Sequence, residues 1–200
     1  MFVMTIDQQN SRNSSDDVPL LLTKLSAVET ILHFERTVGD EIQGVLNSAQ
    51  SVIEAAFTAL RMGNWHIGIG VGKISLPMPE NTREAGGTAF IAARGAVERA
   101  KKSGNRVPLA VAGSENAADA EAVLVLIGAL VTDRSESEWR VLDLISPGVR
   151  GGQTAAAATL GISPQAVSKA VRRSGWQEEW AARPAAEYLL QRAETESRES

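Results

Sequence analysis

Residues 36–46 read RTVGDEIQGVL, and the way this stretch divides decides the fold. Gly39-Asp40 is a two-residue Gly-X link of the kind that joins antiparallel strands. It follows ILHFERTV at 31–38 and precedes EIQGVL, so the reading is strand, tight turn, strand. Working outward, FVMTI at 2–6 is short and apolar enough for a buried strand that ends at Asp7, before a polar loop. Pro19 opens a helix with Leu21, Leu25 and Val28 at helical spacing. Ser48 caps a helix that stops at Gly63. WHIGIGVGKIS at 65–75 is a strand whose glycines mark a close approach by other backbone or by a ligand. A loop, a helix from Thr88 to Gly104 and a strand at 107–113 complete the series. That order predicts a split βαβ, ferredoxin-like α+β domain with its helices on one face of a mixed or antiparallel sheet.

Beyond Gly113 the patterns are all helical. The expected organisation is an α+β domain over 1–113, a connecting helix over 114–134 and an all-α domain over 135–200, with a frayed tail at ETESRES. The decisive stretch of the second half is GGQTAAAATLGISPQAVSKAVRRSG, at 151–175. Small residues at 154–160 let a second helix approach closely, and Gly161 supplies a left-handed turn residue. Ile162 is expected to be a buried pin, while Ser163 caps the next helix with Pro164 at its first position. Val167 and Val171 face inward at i, i+4, and Gln165, Ala166, Ser168, Lys169 and Arg172 face outward. This is the grammar of a helix-turn-helix. The motif A-x-x-L-G-I-S-x-x-x-V-S resembles that of many bacterial regulators, including sigma region 4-like and LuxR-like modules.

Charge supports the same reading. The chain carries a net −4, yet 150–173 holds Arg150, Lys169, Arg172 and Arg173 and no acidic residue. An uncompensated basic island in an acidic chain points to a local anionic partner. Gln165 and Ser168, with Thr154, Ser163 and Ala166 beside them, are placed to meet double-stranded DNA, with Lys169, Arg172 and Arg173 on phosphates or a guanine. The chain has no cysteine, so thiolate metal sites and disulfides are excluded. Its apolar run at 122–131 is too short to span a bilayer and its start lacks a signal peptide, so a cytoplasmic protein is expected.

Asp7 and Asp40 pose a separate question, because two carboxylates beside one hairpin can converge on Mg²⁺ and a phosphate. The N-terminal half resembles class III nucleotidyl cyclases in Val38-Gly39-Asp40, in Ile67–Gly72 and in Gly86–Arg94. It is more closely similar to the SatD family in Asp7–Arg12, in Gly39-Asp40-Glu41-Ile42-Gln43-Gly44-Val45-Leu46 and in Gly68–Ile74. What the cyclase resemblance implies is a palm-type, cyclase-like domain in which Asp7 and Asp40 hold the metal and Arg94 meets a nucleotide. Phe90 stands where that pattern has an asparagine, which argues against efficient cyclisation. His33 and His66 lie in strands without a second ligand at metal spacing, and Trp65 is a core residue.

The sequence thus leads to a homodimeric, DNA-binding transcriptional regulator that is not an enzyme and requires no cofactor. Its N-terminal domain is then a degenerate platform for dimerisation or for sensing a nucleotide with Mg²⁺. Dimerisation would use the apolar helix 117–131 or the last helix with Trp176, Trp180 and Tyr188. The rivals are a Mg²⁺-dependent nucleotidyl cyclase regulated by its helical half, and a protein-binding adaptor.

Overall fold

The computed structural model describes residues 1–11 and 15–199; Arg12, part of the SatD-like motif, lies outside them. Five strands form one mixed sheet: Phe2–Gln8 (β1), Leu32–Arg36 (β2), Glu41–Leu46 (β3), Trp65–Val71 (β4) and Leu109–Ala112 (β5). The order is β2-β3-β1-β4-β5, antiparallel throughout except for the parallel β4–β5 pair. The hairpin turns at Gly39 with φ +62°, the left-handed conformation a glycine adopts without strain. β1 runs one residue past Asp7, which therefore lies inside the strand, opposite Glu41 and His66.

One face of the sheet carries Phe2, Met4, Ile6, Ile42, Leu46, Ile67, Ile69, Leu109 and Val111. It is covered by Val18–Leu25 (α1), Ala49–Met62 (α2), Ala117–Thr132 (α4) and the second half of Trp176–Glu199 (α8). The expectation of helices on one face alone is corrected by Thr88–Ala100 (α3), which lies on the other face against β4, β5 and β1. Gly68 and Gly70 explain this second layer. A Cβ on either would come to 2.3 or 2.2 Å from the carbonyl oxygens of Ala93 and Ala89, so only glycine lets the helix backbone sit so low.

The main core does not stop at Gly113. Ala120, Leu124, Ile127 and Val131 of α4, with Ala186, Leu190 and Ala193 of α8, are buried in it. Nor does the tail fray: α8 runs to Glu199 because its last turns are tied down. Glu194 takes the N-terminal ammonium and Arg198, and Glu196 accepts from the backbone N–H of Asn116 at 3.0 Å. Between α4 and α8 lie three shorter helices, Glu136–Leu142 (α5), Gly152–Leu160 (α6) and Pro164–Arg173 (α7). They share a small core of Val141, Leu142, Ala156, Ala157, Val167 and Val171. Among the described residues no helix is long and apolar enough to cross a membrane.

Candidate nucleic-acid interface

The three short helices are held by local signals at each end. Ser135 and Glu138 form a reciprocal capping box at the start of α5: the Ser135 N–H and hydroxyl donate to Glu138 Oε2 at 2.9 and 2.8 Å. Those two bonds hold the Glu138 carboxyl below the usual carboxylate range. α6 ends on Gly161 at φ +64°, and the N–H of Ile162 reaches back to the carbonyl of Ala157 at 3.1 Å. Ser163 then caps α7, its hydroxyl accepting from the N–H of Ala166 at 3.2 Å, with Pro164 at the first position.

Val167 and Val171 are buried against α5 and α6, as their spacing predicts. The expected pin at Ile162 is not buried; it is 40% exposed at the turn, and Leu160 packs against the small core instead. Leu160 is still on α6 and so faces that core, whereas the left-handed Gly161 carries the chain away before Ile162.

The structure brings one group of expected residues together on the outer side of α7 and its turn. Gln165, Ala166, Lys169, Arg172 and Arg173 are exposed, as are Ser163 and, on α6, Thr154, while Ser168 is half-buried. Among the described residues Lys169, Arg172 and Arg150 make no ion pair; Arg173, itself exposed, lies 3.7 Å from the largely covered Glu138, a loose contact. Arg172 and Arg173 also complement the C-terminal end of the α7 dipole. Lys169, a turn earlier, has no such structural duty.

Comparison with protein-family models, with curated proteins and with solved structures finds no match.

The second group, around Asp7, is brought together differently from expectation. Asp40 sits in the hairpin turn, one residue before Glu41, which faces Asp7 across the strands. Asp7 Oδ2 is paired with Lys101 Nζ at 2.7 Å, and the same ammonium meets Glu98 at 2.8 Å. Burial pulls the Lys101 ammonium down, but the two carboxylates outweigh it and raise it above the ordinary lysine value. Among the described residues no three His, Asp or Glu side chains are grouped to hold a metal. These residues therefore do not fit a Mg²⁺ site, because a fixed positive charge already occupies Asp7. Arg94 is elsewhere, exposed on α3 beside Phe90. His66 is half-buried next to Asp7 with Nδ1 unbonded, and burial lowers its pKa.

Sequence reading missed the seat of the helical unit. Arg61 of α2 donates to both oxygens of Asp143, just past α5, at 2.6 and 2.7 Å. Trp139 of α5 lies between two guanidinium groups, Arg61 at 4.1 Å and Arg134 at 4.8 Å from its ring centre. Arg134 donates to the carbonyl of Ser174 at 2.9 Å, and its charge meets Glu179 Oε2 at 2.7 Å, although no N–H points along that line. Arg183 holds the other oxygen of Glu179 at 2.6 Å. The sequence offered only scattered arginines and tryptophans, with no periodicity to join them.

Proposed function

We propose that this chain is a DNA-binding transcriptional regulator that reads double-stranded DNA with α7. On this reading α5–α7 form a helix-turn-helix domain, and β1–β4 with α1 and α2 form a ferredoxin-like, SatD-like platform to which α3 and β5 are added. The observation that carries it is that Lys169 and Arg172, which make no ion pair among the described residues, lie exposed on the outward side of α7 while its two valines turn inward. A helix of this size enters the major groove, where Gln165 and Ser168 near its start meet base edges. Lys169 and Arg172 meet phosphates, and release of their counterions makes binding salt-dependent. Such a module acts as a dimer on an inverted repeat, because one recognition helix contacts too few bases. The proposed location is the cytoplasm.

The experiment is a selection of genomic fragments by the purified chain, followed by titration of the selected site at several salt concentrations. Lys169→Ala and Arg172→Ala are each expected to weaken binding about tenfold and to lower the salt slope by about 1. If both variants bind as the parent does, α7 is not the reader. Capture of protein rather than DNA, undiminished in the same variants, would favour the adaptor.

A further inference from the structure

On the face of the sheet that carries α3, a cleft of about 730 Å³ opens between that helix, the hairpin and the loop after β4. Its floor is polar where a sheet covered by a helix is ordinarily apolar. Glu41 and Gln43 sit two residues apart on β3 with side chains on this face, and Thr5 pairs with Gln43 across the strands. Gln43 is only 4% exposed. Its amide nitrogen donates to Thr5 Oγ1 and to Glu41 Oε1, both at 3.2 Å. Its carbonyl oxygen accepts nothing among the described residues, and the side chain lines the cleft. Thr37 also donates to Glu41 Oε1, at 2.7 Å, so Oε2 is left over, and among the described residues no cation pairs with this carboxylate. Two acceptors thus stand side by side without protein donors among the described residues, and neither is a fully buried atom, so both are open to donors that enter the cleft.

The walls carry the complementary chemistry. Arg94 lines the cleft from α3 and makes no ion pair among the described residues. Phe90, Ile91 and Ala85 add apolar surface, and Val38 at the hairpin mouth is 80% exposed. The loop side is fixed in advance. Thr82, almost fully buried, donates to Glu35 through its hydroxyl at 2.7 Å, and Arg83 donates twice to the carbonyl of Arg36. A concave, largely apolar space with a few convergent polar groups is the usual form of a small-molecule site.

We infer that this cleft binds a small two-ended organic ligand. Glu41 and Gln43 accept from an edge of N–H donors, Arg94 holds an anionic group, and Phe90 and Ile91 cover the apolar body between. The site does not involve Asp7 or Asp40 and needs no metal. Its occupancy is also separate from DNA binding, so either reading can fail without the other.

Two sources share this chemistry: an amino-bearing heterocycle with a phosphate, and a guanidino compound with a carboxylate. Calorimetric titration of the full chain with guanosine 5′-monophosphate and with L-arginine separates them. Guanosine, ribose 5-phosphate and agmatine serve as one-ended counterparts. The expected result is binding of one two-ended probe at least tenfold tighter than its one-ended counterparts. Arg94→Ala and Glu41→Gln should each weaken it tenfold or more. Arg94 is exposed, so Arg94→Ala should melt as the parent does and decides the matter if Glu41→Gln fails to fold. The inference is overturned if neither probe binds, if the one-ended compounds bind equally well, or if Arg94→Ala leaves affinity unchanged.

Discussion

Ser163 holds the start of α7 with a single hydroxyl, and the helix beyond it is only ten residues long. Removing an N-cap costs about 1 kcal/mol. Ser163→Ala is therefore expected to lower the thermal midpoint modestly, and to weaken DNA binding without changing its salt slope, because no cation is lost. That combination separates a positioning residue from Lys169 and Arg172, whose loss moves the slope. Glu138 gives a second test at this scale. Its carboxyl is held below the ordinary range by the Ser135 N–H and hydroxyl, with Arg134 and Arg173 adding a smaller electrostatic effect. A folded pKa below the unfolded one, near 4.3, means the stabilisation is present above that value. It is then lost as pH falls through the lower folded value. Glu138→Gln is expected to flatten the acid limb of a melting-temperature profile as pH falls through and below the ordinary glutamate range, while behaving closely like the parent's acid form at the lowest pH. An unchanged acid limb would show that the capping charge is not what the protein loses in acid.

At the scale of elements, α8 serves two cores. Its beginning carries Trp176, which packs against α5–α7, and its end buries Ala186, Leu190 and Ala193 beneath the sheet. Leu190→Ala should cost about 2–5 kcal/mol, as for other fully buried leucines. Because α8 reaches both cores, urea unfolding followed by tryptophan fluorescence and by far-UV circular dichroism should shift together. Separate shifts would mean that α8 joins nothing. The strands and helices that had a clear period or a cap, such as β4, α2 and α7, were legible from the sequence. The polar row in the cleft was not singled out, although EIQGVL alternates and the strand pairing sets Glu41 and Gln43 on one face opposite Ile42 and Leu46. The position of α3 was not legible, since its direction of approach depends on two glycines in a distant strand. Neither was the end of α8, where polar residues that read as a loose tail are held by the chain's own N-terminus. Lys101 was missed because a lysine just past a helix looks like solvated charge until β1 is laid beside it.

For the whole molecule, the open matter is how two readers would be set at a fixed spacing. α8 is taken up only in part: Trp176 and Trp180 pack on each other and Arg183 lies over Trp180 at 3.9 Å, while Trp180 and Tyr188 stay exposed at 37% and 63%. α4 likewise has two sides: it buries Ala120, Leu124, Ile127 and Val131, yet Ala118, Ala122, Leu126 and Ala129 remain exposed on its other side, Leu126 at 70%. Those residues repeat at helical spacing and would form a stripe for a second copy, and the rigid seat of α5–α7 on α2 would carry the fixed geometry outward. Leu126 is exposed, so Leu126→Glu should leave the melting temperature of the monomer nearly unchanged. In sedimentation velocity the parent is expected to be dimeric and the variant monomeric. On an inverted repeat the variant should lose most of its affinity, while its binding to an isolated half-site should match the parent's. A Leu126→Glu protein that stays dimeric would move the pairing surface away from α4. A parent that is monomeric at every concentration and still selects an inverted repeat would mean that the DNA itself brings the two copies together.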